Sequence, residues 1–104
     1  MTCIYEVNLA VDPEIEQAFS RWLPGHVARV LALPGFIDAV IEAEQRQVGQ
    51  PASYCVRYRL ENAEALKQYL KTHAATMRQE GIDQFGDRFR ASRRILDVLE
   101  RLNK

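Results

Sequence analysis

The chain has 104 residues, with 14 lysines and arginines against 14 aspartates and glutamates, so its formal net charge is zero. That length suits one domain over residues 1–104. The charge balance gives no overall attraction to nucleic acid or to an anionic membrane, which makes nucleic acid an unfavoured partner. A hydrophobic content of 47% is that of a globular chain rather than a disordered one.

Residues 3–11 alternate. Cys3, Tyr5, Val7, Leu9 and Val11 share one face, and Ile4, Glu6, Asn8 and Ala10 share the other, the period of a strand with one apolar side. No basic segment with a following apolar run stands before them, and no stretch reaches the ~18 apolar residues of a membrane span. The expectation is therefore a cytoplasmic protein with no membrane contact.

Asp12-Pro13-Glu14 opens a helix: an N-cap residue, a proline suited to the first turn, and an acid at the positive end of the dipole. Ile15, Phe19, Trp22, Leu23, Val27, Val30 and Leu31 recur at helical spacing. Pro24 removes a backbone donor and predicts a kink or a break, and Pro34-Gly35 ends the helix. Residues 36–44 form a second strand, with Ile37, Ala39, Ile41 and Ala43 on one face and Phe36, Asp38, Val40 and Glu42 on the other. The polar stretch 45–52 is a hairpin loop, and residues 53–61 form a third strand. A second helix, capped by Asn62 or Glu61, is expected from Ala63 to about Gln79, with Gly81 ending it and 82–86 forming a turn. Phe89 to about Leu96 can form a fourth strand, and a helical turn can follow it.

The order β-α-β-β-α-β and right-handed crossovers imply the split, ferredoxin-like α+β sandwich. Its four-stranded antiparallel sheet carries two helices on one face. The other face then holds Ile4, Glu6, Asn8, Val40, Arg57 and Arg59, a mixture of charge and aliphatic surface. Two such faces pressed together make a homodimer, a dimeric α/β barrel, which also suits a chain of marginal size. Cys3 and Cys55 have opposite parity in this arrangement, so an intramolecular disulfide is not expected.

The stretches Ile-Tyr-Glu-Val-Asn-Leu at 4–9, His-Val-Ala-Arg-Val-Leu-Ala-Leu-Pro-Gly-Phe at 26–36 and Tyr-Cys-Val-Arg-Tyr at 54–58 resemble the bacterial domain of unknown function family 4286. So do Tyr69, His73, Met77, Arg78, Phe85, Phe89 and the run Arg93-Arg94-Ile95-Leu96. The resemblance covers nearly the whole chain and implies the dimeric α/β-barrel fold without a settled activity. More distantly, the His…Pro-Gly-Phe approach to the second strand is similar to antibiotic-biosynthesis-type monooxygenases. The full catalytic signature of those enzymes is not present, so their activity does not transfer.

The ligand-binding candidates are Glu6, Asn8, Arg57, Arg59, Trp22 and His26. Two arginines and an amide on one sheet face suit a carboxylate or phosphate, which makes a small anionic ligand a possible partner. The competing reading is a Glu–Arg network that neutralises itself across a dimer interface. His26 can line a pocket mouth beside Pro24-Gly25, whereas neither His26 nor His73 has a metal-ligand neighbour at helical spacing; no metal and no cofactor are expected. Trp22, Tyr54, Tyr58 and Tyr69 read either as an aromatic pocket or as core. Arg88, Arg90, Arg93 and Arg94 read as charges guarding an edge strand rather than as a nucleic-acid patch. The resulting expectation is a ligand-binding or interaction module, with cofactor-independent oxygenation as the enzymatic alternative.

Overall fold

The computed structural model describes residues 1–104. β1 (Cys3–Val11) leads through a single 3-10 turn at Pro13–Ile15 into α1 (Glu16–Leu31), then β2 (Phe36–Ala43) and β3 (Ala52–Leu60). α2 (Ala63–Thr72), α3 (Ala74–Phe85) and β4 (Phe89–Asp97) complete the chain. The strand order is β2-β3-β1-β4, antiparallel throughout. This is the expected ferredoxin-like α+β sandwich, with its second helical segment divided in two.

The alternation of β1 produces the layering directly. Cys3, Tyr5, Val7, Leu9 and Val11 are buried beneath the helices. Opposite them on β3 lie Leu60, Tyr58, Val56, Tyr54 and Ala52 in the same register. Phe19, Leu23, Val27 and Val30 of α1 supply the covering stripe, joined by Leu66 and Tyr69 of α2 and Ala74 and Met77 of α3. Phe19 is fully buried at the hub of an aromatic cluster, 5.2 Å from Phe85, 5.4 Å from Phe89 and 5.6 Å from Trp22 between ring centres.

Four local expectations are corrected. α1 is neither broken nor ended at Pro24, which lies on its exposed side; the buried stripe on the opposite side holds the helix together despite the lost donor. The second helical segment does not end at Gly81. It breaks instead at His73, whose backbone leaves the helical region at φ −125°, and resumes to Phe85, with Gly86 at φ +61° ending it. Gly81 is inside α3 because that helix packs against Phe89: a Cβ there would meet Phe89 Cζ at 2.9 Å. In β2 a register irregularity between Phe36 and Asp38 reverses the parity. Phe36 therefore packs on Tyr58 and Tyr69, at 5.5 and 5.1 Å, on the same side as Ala39, while Ile37 is left exposed. Beyond β4, residues 98–104 form no helical turn.

Candidate functional site

The six residues predicted from sequence lie on opposite sides of the sheet. Glu6, Asn8, Arg57 and Arg59 project from β1 and β3 onto the face without helices, as their register requires. Glu6 is only 4% exposed. It accepts hydrogen bonds from Arg57 Nη1 at 2.5 Å, Arg94 Nε at 2.7 Å and Asn8 Nδ2 at 3.0 Å. The Arg94 and Asn8 hydrogen bonds hold its carboxyl below the ordinary carboxylate value, against the opposing effect of burial. Arg59 is engaged by Asp38, with Nη2 at 2.5 Å from Oδ2. Both candidate arginines thus already face carboxylates of their own chain. Cys55 sits on this face and Cys3 is buried on the other; both thiols are free, and burial pushes each up.

Trp22 and His26 lie on the helical side, in the wall of a cavity of about 300 Å³ between the helices and the sheet. The volume stands at the lower end of small-molecule sites and has room for a bicyclic or tricyclic ring system. Phe19, Leu23, Val56, Met77 and Phe89 make much of the lining apolar. Trp22 and His26 are one helical turn apart, which stacks their rings 4.6 Å apart and 20° from parallel. His26 Nδ1 lies 2.9 Å from Glu80 Oε1, and Arg29 donates to the same carboxylate from Nε at 3.0 Å and Nη2 at 2.9 Å. Arg29 first, then His26, holds the Glu80 carboxyl below its ordinary value. This contact orients the ring, with Nδ1 toward the carboxylate.

At the polar end of the cavity, the sequence reading offers Tyr58 and Tyr69 as an aromatic pocket or core and does not single out Tyr5, Arg78 or Arg93 as pocket residues. Tyr5, Tyr58 and Tyr69 line it, with Tyr5 6.1 Å from Tyr58 and 5.9 Å from Tyr69 between ring centres. Arg78 of α3 and Arg93 of β4 line it too, and Arg78 Nη2 donates to the Tyr5 hydroxyl at 3.1 Å. Burial pushes the Tyr69 hydroxyl up to about 12 and the Tyr58 hydroxyl higher still, so both keep their protons and remain donors at neutral pH. A signal for Arg93 exists in the sequence: it shares the parity of Phe89, Ala91 and Ile95, which places a cation on the covered side of a strand. Tyr54 stacks on Phe19 outside this lining. No cluster of three or more His, Cys, Asp or Glu side chains is placed to hold a metal ion, and no helix is long and apolar enough to cross a membrane.

The fold is that of the ferredoxin-like α+β domains, a four-stranded antiparallel sheet with its helices on one face. Residues 2–99 match the family model described as domain of unknown function DUF4286, and the chain belongs to that family. No curated protein matches the sequence. Among solved structures, one similar fold is a protein from Deinococcus radiodurans provisionally named an antibiotic biosynthesis monooxygenase: TM-score 0.72, 13% identity, 98% of this chain and 97% of the other. A variant of SnoaB, a cofactor-independent oxygenase from Streptomyces nogalater, aligns with TM-score 0.66 and 14% identity over 99% of this chain and 98% of the other. The de novo designed protein Foldit4 aligns with TM-score 0.59 and 14% identity over 94% of this chain and 99% of the other. Such identities establish the fold. A designed neighbour illustrates that this fold does not by itself carry a reaction.

Proposed function

We propose that this protein is a ligand-binding barrel domain whose site is the cavity between helices and sheet, and that it works as a homodimer through its helix-free sheet face. The observation that carries the reading is the pair of tyrosines, Tyr58 and Tyr69. They are 4% and 5% exposed, they line the cavity, and neither hydroxyl has a side-chain partner within the protein. No side-chain oxygen sealed inside the protein lacks a partner, so these hydroxyls open onto the cavity, where a bound molecule with an acceptor would replace water as their partner. The arginines of the opposite face favour a structural role there, because Glu6 and Asp38 already occupy them.

The test is a thermal-shift panel of aromatic compounds. Ligands that fit should raise Tm by roughly 10 °C or more at saturating concentration, since binding at ~100 times Kd contributes about 2.7 kcal/mol. Filling the cavity with Ala91→Leu should remove the rise while leaving the far-ultraviolet circular dichroism unchanged. A panel without any shift would overturn the reading.

A second reading, cofactor-independent oxygenation, is favoured by one further feature. The Glu80–His26 pair sets a carboxylate-oriented imidazole in the wall of the cavity, the arrangement a general base requires. The fold likeness to an oxygenase is consistent with it. Oxygen uptake with electron-rich phenols that is lost in His26→Phe would support this reading, and binding without uptake would leave the protein a binding module.

A further inference from the structure

Most arginines of this chain are held by carboxylates: Arg57 and Arg94 by Glu6, Arg59 by Asp38, Arg90 by Asp12, Arg29 by Glu80, Arg46 by Glu16 and Arg88 by Glu14. Arg78 and Arg93 form no salt bridge, yet both line the cavity, and no aspartate or glutamate lines it with them. The polar groups at that end are donors: two guanidinium forks and the protonated hydroxyls of Tyr58 and Tyr69. Both guanidinium groups line the same cavity as Tyr58 and Tyr69, with Arg78 Nη2 3.1 Å from the Tyr5 hydroxyl. The cavity wall also includes the Trp22–His26 stack, a flat aromatic surface.

Resting on the cavity reading above, we infer that the ligand is a planar aromatic acid bound as its anion. Its ring lies toward Trp22 and His26, and its carboxylate or phenolate group meets Arg78, Arg93 and the hydroxyls of Tyr58 and Tyr69. A guanidinium fork matches a carboxylate with two parallel hydrogen bonds, and each tyrosine adds one more donor. A cationic ligand would be repelled, and a neutral hydrocarbon would offer Arg93 and the hydroxyls of Tyr58 and Tyr69 no acceptor. Tyr5 serves as a positioning residue, because its hydroxyl accepts from Arg78 and sets the direction of that fork.

Calorimetric titration of the full chain with 2-naphthoate and with 2-naphthamide tests this inference. The two probes share shape and ring and differ in charge. The acid should bind at least tenfold more tightly than the amide, and the advantage should shrink as salt is raised. The double substitution Arg78→Met and Arg93→Met should abolish the preference for the acid, bringing its affinity down to that of the amide. Both side chains are substantially exposed, so the variant should fold. Equal binding of acid and amide by the unsubstituted protein would overturn the charge assignment and leave the cavity reading standing. Binding of neither would remove both.

Discussion

Gly35 links sequence to fold at the scale of one residue. It holds φ +88° at the turn into β2, and a Cβ added there would stand 2.5 Å from Ala65 Cβ. Backbone conformation and space both exclude a side chain, so Gly35→Ala should destabilise by about 2–3 kcal/mol, read as a fall in the urea midpoint. Glu6 is the other residue whose loss should be felt broadly. Glu6→Gln leaves Arg57 and Arg94 without their anion, yet both are partly hydrated, so the cost should be about 1–2 kcal/mol. The same carboxylate predicts an acid dependence. Its folded value is lowered, so its stabilisation is fully present above the ordinary value of 4.5 and fades as the pH falls below it. Denaturation at stepped pH should therefore show stability dropping on the acid side of 4.5, with a smaller drop in Glu6→Gln. A slope of equal size in the variant would assign the acid sensitivity to other carboxylates.

At the scale of elements, the strands and most helix ends were legible, Asn62 capping α2 as expected, and the end of the second helical segment was not. β1, β3 and β4 alternate with period two, and a half-buried sheet enforces that parity. The irregularity at Ile37 could not be read, because a bulge is a property of two strands in register rather than of one segment. Gly81 misled for a related reason. A glycine near the end of an apolar pattern signals a stop, but here it admits Phe89 against the helix. The cavity was hidden likewise: Arg93 read as an edge charge, and only the packing of α3 against β4 brings Arg78 to the same space. Pro24 offers the element-scale test. α1 continues through it without a donor to the preceding turn, and its side chain is exposed. Pro24→Ala should stabilise by about 1–2 kcal/mol in urea unfolding. Destabilisation would mean that the proline shapes α1 for its packing on the sheet.

The whole molecule is a slab 19 Å thick, with extents of 39 and 37 Å in the other directions. Its radius of gyration, 14.4 Å, exceeds the ~13 Å of a compact domain of this size, because only one face of the sheet is covered. The uncovered face carries Ile4, Val40 and Leu96 around the Glu6 network, with Val40 52% exposed. Aliphatic side chains around a neutralised charge cluster form a surface that a second copy can cover without stranding charge. The cluster needs no partner for its own neutrality, so it tolerates burial on association. The paired substitution Val40→Asp with Leu96→Asp should therefore shift sedimentation at micromolar concentration from dimer toward monomer. Because both positions lie away from the helix-covered core, the variant should keep its far-ultraviolet circular dichroism. It should also retain the cavity, so its response to 2-naphthoate separates the two halves of the proposed function. Retained binding in the monomer would place the ligand site wholly within one chain. Loss of binding would mean that pairing of the sheets holds β1 and β4, and with them Tyr5 and Arg93, in their binding positions.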